Sequence, residues 1–214
     1  MTSMKKINLG IIGCGVIGTE HLKAAAADSG INLVAVADLI TERVEKAAEE
    51  FSVPLKFEQG ADLLRSEQVD AVVFAFPAKY RAGLVVEGMK AGKHVLVEKP
   101  IGRSASEVES MLAAQGSLVA ACCSSRFQFY ESARAAADIV ATGILGNIRV
   151  LRARGVNPAG IKPKTAPPDW RLSRELNGGG ILVNWGCYDL DYLMGITGWL
   201  LQPETVFAAS WPIA

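Results

Sequence analysis

Three features of the chain predict an α/β domain built on a doubly wound parallel sheet. Strand-like apolar runs alternate with helix-like stretches from Ile7 to Cys122. The run Asp70 to Phe76 is almost unbroken in its apolar character, as in a parallel strand buried on both faces. The first apolar run, Ile7 to Ile12, leads straight into Gly13-Cys14-Gly15-Val16-Ile17-Gly18, a G-x-G-x-x-G turn.

The elements follow in order. After the glycine turn, Thr19 to Asp28 suits a helix, and Ile31 to Ala37 reads as the second strand. Glu42 to Phe51 is a helix with Thr41 as its expected N-cap. Pro54 to Phe57 is a short extended piece. Ala82 to Ala91 is helical and is closed by Gly92 at the C′ position. His94 to Val97 is the next strand. Ser104 to Ala114 is a helix opened by a capping box, Ser104 with Glu107 three residues on. Leu118 to Cys122 is a further strand. Such repeated units imply right-handed crossovers.

The pattern changes near Ser124. Glu131 to Ala141 is an alanine-rich helix, and Asn147 to Gly155 is expected as a strand. Val156 to Asp169, rich in proline, lysine and glycine, reads as loop. Gly178-Gly179-Gly180 introduces an apolar stretch, Ile181 to Gly195, expected as a buried helix. Thr205 to Trp211 reads as a strand. The expected division is residues 1–123 and 124–214.

Composition narrows the function class. The 214 residues are 50% hydrophobic and 21% charged, with 22 basic and 22 acidic side chains and a formal net charge of zero. No basic stripe points to nucleic acid, and no stretch is long enough to span a bilayer. Four cysteines, Cys14, Cys122, Cys123 and Cys187, lack C-x-x-C spacing and read as buried reduced thiols of a cytoplasmic protein. His21 and His94 are the two histidines, so no structural metal site is expected.

The glycine turn carries the first chemistry. Gly13 lets the chain turn sharply out of the strand, Gly15 lets a pyrophosphate approach the backbone, and Gly18 lets the helix pack close. Val16 and Ile17 belong to the same turn. The helix start offers free N–H groups and a positive dipole end to phosphates. Asp38 follows Gly18 by 20 residues, at the end of the second strand. Its carboxylate suits the hydroxyls of an adenosine ribose and would repel a 2′-phosphate, so NAD is expected over NADP. The whole is the fingerprint of a Rossmann dinucleotide site. Two further loops follow strand ends, Phe76-Pro77-Ala78-Lys79-Tyr80-Arg81 and Glu98-Lys99-Pro100. A charged pair before proline at a buried strand end is either a solvated turn or part of a site.

Several segments together resemble a known family. They are the G-x-G-x-x-G, Ala37-Asp38, A-G-K-H-V-L-V-E-K-P ending at Pro100, Ser125-Arg126-Phe127, the G-x-L-G-x-I from Gly143 to Ile148, Trp170-Arg171, and G-G-G-I-L-x-x-x-G from Gly178 to Gly186. In this order they are similar to the Gfo/Idh/MocA oxidoreductases, NAD(P)-dependent enzymes acting mainly on sugars, inositols and related polyols. The resemblance implies that the α/β domain is followed by an α+β domain with an open, mostly antiparallel sheet. It implies that Phe76, Pro77, Glu98 and Lys99 join the glycine turn in holding the cofactor, Glu98 at the nicotinamide ribose. Lys99 would meet the substrate hydroxyl and the ring, with Pro100 often cis in the family. Arg126, Trp170, Arg171 and the stretch from Gly178 to Asp191 would line the substrate side.

The departures from that pattern matter. The family's usual aspartate and histidine after the triple glycine are Asn184 and Tyr188 here. Asn184 orients a hydroxyl but takes no proton. Tyr188 with Lys99 beside it is a candidate proton carrier, because a neighbouring ammonium favours the phenolate. The competing reading is a core tyrosine and lost catalysis. The family's second domain is longer than residues 124–214, so a truncated chain or fragment is expected, its full-length form a homo-oligomer. Three functions stay open. They are NAD-dependent oxidation or reduction of a sugar or polyol, sugar modification with tightly held NAD, and non-catalytic dinucleotide or sugar binding.

Overall fold

A computed structural model of the chain describes residues 5–154, 170 and 173–209. Residue contacts divide it into two units, one holding the described residues of 1–124 and 159–187, the other those of 125–158 and 188–214.

The first unit is a six-stranded sheet in the order β3-β2-β1-β4-β5-β6, every neighbouring pair parallel. Its strands are β1 Ile7–Ile12, β2 Ile31–Ala37, β3 Leu55–Phe57, β4 Ala71–Phe74, β5 His94–Val97 and β6 Ala120–Cys122. The helices between them are α1 Val16–Ala27, α2 Thr41–Phe51, α3 Gly60–Arg65, α4 Arg81–Lys90 and α5 Ala105–Gln115. Alternating strand residues feed two cores. Ile11, Val36 and Val73 pack with Leu22 of α1 and Val44, Ala47 and Ala48 of α2. Ile12, Ala37, Val72 and Phe74 face the other way, with Leu63 and Leu64 of α3, Val85 and Met89 of α4 and Met111 of α5. Burial on both faces is why these strands read as unbroken apolar runs. Chain order reverses between β1 and β4, the place where open α/β sheets bind ligands.

Local chemistry accounts for most boundaries and for the departures from the expected ones. Gly92 sits at φ +76° just past α4, as a C′ glycine should. Ser104 Oγ accepts the Glu107 N–H at 3.3 Å, but Glu107 answers to the Arg103 N–H at 2.7 Å, so the expected capping box closes one residue early. Ile40, not Thr41, is the N-cap of α2, and no side chain caps it. Its N–H is taken by Asp38 Oδ1 at 2.9 Å, which fixes the chain one residue ahead of the threonine. Helix α1 begins three residues before the expected Thr19, inside the glycine turn.

One short helix, α7 Arg174–Asn177, and the start of the longer α8 Ile181–Ile196 complete the described chain of the first unit. Arg103 Nη1 donates to the Glu175 carbonyl at 3.2 Å, and Lys79 pairs with the Glu175 carboxylate. In the second unit, α6 Glu131–Ala141 follows a 3₁₀ segment, Cys123–Phe129. There the Phe127 ring lies 5.7 Å from Tyr130 and 5.4 Å from Tyr188, and Tyr192 meets it edge-on.

Three expectations for this part are corrected. Ile181 to Gly195 is a helix but not a buried one, with Leu182 at 75% and Leu190 at 64% exposure. Its apolar side chains occupy every side of the helix, so packing on one side leaves others in solvent. Residues 147–154 and 205–209 form no strand, since a strand needs a hydrogen-bonded neighbour and the described residues give them none. The loop expected at Val156 to Asp169, and Ser210 and Trp211 of the last expected strand, lie outside the described residues.

The glycines give a test of this packing. A Cβ on Gly18 would come within 1.8 Å of the Gly13 carbonyl oxygen, whereas one on exposed, helical Gly83 would meet nothing within 4 Å. Gly18→Ala is expected to lose at least about 3 kcal/mol of stability by backbone displacement. Gly83→Ala is expected to gain about 0.5–1 kcal/mol. Urea denaturation of the two variants checks both signs.

Candidate cofactor and active site

The predicted cofactor residues converge at the carboxyl ends of four adjacent strands. Gly13 follows β1, Asp38 follows β2, Phe76 and Pro77 follow β4, and Glu98 and Lys99 follow β5. The glycine turn is fixed by the backbone. Gly13 has φ +96°, its N–H donates to the Ala37 carbonyl at 2.7 Å, and a Cβ there would meet the Ala75 carbonyl oxygen at 2.4 Å. Gly15 differs. It has an ordinary φ of −75°, and the nearest atom to an added Cβ is Arg43 Nη1 at 3.8 Å. The fold therefore requires glycine at 13 and 18 but not at 15. A requirement for glycine at 15 must come from a ligand that lies against the backbone. Val16 and Ile17, at the open start of α1, are 89% and 47% exposed. This cradle fits a dinucleotide: a bare backbone, a helix start with unpaired N–H groups, and an apolar cover.

Asp38 is held in place by the same turn. Its Oδ2 accepts the Cys14 N–H at 2.7 Å and its Oδ1 accepts the Ile40 N–H. Each carboxylate oxygen keeps a second lone pair for a ribose hydroxyl.

On the other side of the switch point, one buried cation ties the two remaining loops together. Arg81 is 3% exposed, and its guanidinium donates to the carbonyls of Phe76, Glu98 and Pro100. Burial pulls its pKa down to about 10, against the nearby Glu98 charge, so it stays cationic at neutral pH. In the sequence Arg81 stands only as the last residue of the loop that follows β4. The signal available was an arginine heading a helix whose next five residues, Ala82 to Val86, are uncharged.

Glu98 is nearly buried, with Oε1 3.0 Å from His21 Nε2 and Oε2 accepting the Lys99 N–H at 3.0 Å. Burial pushes this carboxyl up, but the His21 hydrogen bond, the Lys99 N–H and the Arg81 charge together hold it below the usual carboxylate range. His21, Glu98 and Cys123 bring three metal-competent atoms within 4.8 Å of one another. Cys123 is a poor ligand as it stands, since burial, first, and then Glu98 push its thiol up to about 12. None of the four cysteines is in a disulfide. Cys14 is buried, while Cys122, Cys123 and Cys187 are half-buried, which corrects the expectation of four buried thiols.

Lys99 precedes Pro100 through a cis peptide bond. Its Nζ donates to Asn184 Oδ1 at 3.0 Å and to the Asn184 carbonyl at 3.3 Å, and lies 5.6 Å from the Trp185 ring centroid. The first unit thus joins Lys99 and Asn184, two of the three predicted catalytic residues. Tyr188, one turn on along α8, is assigned to the second unit and is 6% exposed. There the Arg126 guanidinium stands 5.0 Å from its ring centroid. Hydrogen bonding to Tyr188, then Tyr130, raises the Arg126 pKa. The cation that its own unit sets against Tyr188 is therefore Arg126. Trp170 is half-buried in the first unit, and Arg171 lies outside the described residues.

Residues 7–122 match the family model described as "Oxidoreductase family, NAD-binding Rossmann fold", and residues 133–211 match the "GFO/IDH/MocA C-terminal domain". Over 95% of its length the chain is 32% identical to dTDP-3,4-didehydro-2,6-dideoxy-alpha-D-glucose 3-reductase of Streptomyces violaceoruber, of which the match covers 60%. It is 40% identical to inositol 2-dehydrogenase of Rubrobacter xylanophilus over 52% of this chain and 32% of that one. Among solved structures, scyllo-inositol dehydrogenase from Lactobacillus casei with bound NAD(H) and scyllo-inositol matches with a TM-score of 0.75 and 26% identity. That match covers 91% of this chain and 57% of the other. The chain thus spans at most about 60% of the length of these relatives.

Removing the buried cation tests its part in the site. Arg81→Leu would leave the carbonyls of Phe76, Glu98 and Pro100, the last two buried, without this donor. It is expected to cost about 3 kcal/mol or more, read as a lower denaturation midpoint at unchanged slope.

Proposed function

The chain belongs to the Gfo/Idh/MocA family of oxidoreductases, and from that premise we propose that it serves NAD-dependent hydride transfer to or from a carbinol carbon of a sugar, inositol or related polyol. The observation that carries this reading is the Lys99–Asn184 pair at the end of β5, in the same row of strand ends as the glycine turn. Residues 1–123 are the cofactor domain and 124–214 belong to the substrate side. The same reading gives the substrate side an open, mostly antiparallel sheet and the protein a homo-oligomeric state.

Gly13, Gly15, Val16, Ile17 and Gly18 hold the pyrophosphate, Asp38 the adenosine ribose, and Phe76, Pro77 and Glu98 the nicotinamide half. NAD, when bound, accepts or supplies the hydride. The chain's own residues do the rest. Lys99 donates a hydrogen bond to the substrate oxygen and stabilises negative charge on it as the hydroxyl proton leaves. Asn184 holds the Lys99 amine in place and has an amide N–H₂ left to orient a second hydroxyl. Tyr188 receives the proton, its phenolate favoured by an adjacent cation. Arg126, Trp170 and Arg171 contact the sugar.

NADH fluorescence and turnover over a panel of sugars and inositols test the proposal. Lys99→Ala is expected to leave NAD affinity within about fivefold and to lower kcat by about 10²–10⁴. NAD binding without any turnover, unchanged by Lys99→Ala, would instead establish a non-catalytic binder. NAD that survives purification, with no net NADH release, would establish a sugar-modifying enzyme.

A further inference from the structure

We infer that His21, Glu98 and Cys123 form a site for one thiophilic divalent cation of the Zn²⁺ class, held by a nitrogen, an oxygen and a sulfur. The three side chains come from three elements of the first unit. His21 stands on α1, Glu98 follows β5, and Cys123 opens the 3₁₀ segment after β6. Their ligand atoms all lie within 4.8 Å of one another, and His21 Nε2 is 3.0 Å from Glu98 Oε1. Ligand lengths of about 2.0–2.3 Å around a tetrahedral cation put the ligand atoms roughly 3.3–3.7 Å apart. The present spacings reach that range by side-chain movements of about 1 Å or less. Few histidines weighed against a structural metal in the sequence. One histidine serves here because the other two ligands come from the ends of neighbouring strands.

Glu98 is the hub of the cluster. It meets His21 Nε2 and accepts a hydrogen bond from the Cys123 thiol. Its Oε2 is held by the Lys99 N–H, a partner of the kind that orients a ligating carboxylate. Arg81 directs its guanidinium to the carbonyls of Phe76, Glu98 and Pro100, not to this carboxylate. A cation would replace the hydrogen bonds inside the cluster. The thiol proton leaves to water as the metal–sulfur bond forms, and the imidazole binds in its neutral form, protonated at Nδ1. The carboxylate and the thiolate then neutralise the dication. Burial, first, and Glu98 push the thiol up to about 12, but a coordinating dication removes that proton outright. The cost is a weaker site than one whose thiol is already ionised. A single carboxylate excludes Mg²⁺ and Ca²⁺, which need a shell of oxygens, whereas the nitrogen and sulfur suit Zn²⁺, Co²⁺ or Cd²⁺.

Glu98 is also the proposed nicotinamide contact, so the test uses the full chain, free of any affinity tag, without nucleotide. It therefore stands or falls apart from the dinucleotide reading. Co²⁺ is the probe, because its absorption spectrum reports the ligands. One equivalent is expected to give a thiolate-to-cobalt charge-transfer band in the near ultraviolet. Zn²⁺ should abolish the band by displacing Co²⁺, and Mg²⁺ in large excess should not. Cys123→Ser is expected to lose the band, and His21→Gln to weaken Co²⁺ binding at least about tenfold. Zn²⁺ should raise the melting temperature of the parent chain and leave that of Cys123→Ser unchanged. A parent chain without the band, a band that survives in folded Cys123→Ser, unchanged affinity in folded His21→Gln, or displacement by Mg²⁺ overturns the inference. Melting of the metal-free variants shows whether they fold. The parent band is read without them, so a variant that fails to fold leaves the test decisive.

Discussion

The contact between Gly18 and the Gly13 carbonyl sets the separation of α1 from the sheet. No side chain fits between them, since a Cβ on Gly18 would stand 1.8 Å from that oxygen. The same closeness holds Gly13 against the Ala75 carbonyl, so the turn is wedged between the ends of β1 and β4. The N-terminus of α1 is thereby fixed at the switch point of the sheet. Asp38 completes the arrangement by accepting the Cys14 N–H from the middle of the turn. The glycine turn, the acidic residue and the helix dipole form one rigid unit because the backbone leaves no room for another arrangement.

Across the switch point the constraint is electrostatic. Arg81 gathers three carbonyls, of Phe76, Glu98 and Pro100, onto a single buried cation. It ties the loop after β4 to the loop after β5, and Glu98 and Lys99 stand on the second of these. Glu98 is in turn fixed by His21 of α1, so the two sides of the switch point are joined through one carboxylate. Lys99 ends against Asn184, an amide where the family usually has an acid. That partner is a neutral amide rather than a carboxylate, which suits the role proposed for Lys99 in polarising a substrate oxygen.

The sheet was legible because burial on both faces writes itself as unbroken apolar runs, and His94–Val97 appears with the expected limits. The glycine turn was legible because its geometry excludes side chains at fixed spacings. Helix α3 escaped notice, being six residues long with only Leu63 and Leu64 fully buried. The segments 147–154 and 205–209 were misjudged because β-propensity describes a fit to neighbours, and the described residues supply none. Arg81 escaped for a related reason. Two of the carbonyls it holds, of Glu98 and Pro100, stand 17 and 19 residues on, and no local spacing announces such partners.

The most direct measurement of the central claim, that the bare backbone at Gly15 exists for a dinucleotide, is NAD calorimetry on Gly15→Val. Residue 15 has an unstrained φ and space for a side chain. The account predicts a melting temperature within about 2 °C of the parent and NAD affinity reduced at least about thirtyfold, by a methyl-bearing Cβ where the pyrophosphate must lie. Undiminished NAD binding by the folded variant, or no NAD binding by the parent chain, would contradict it.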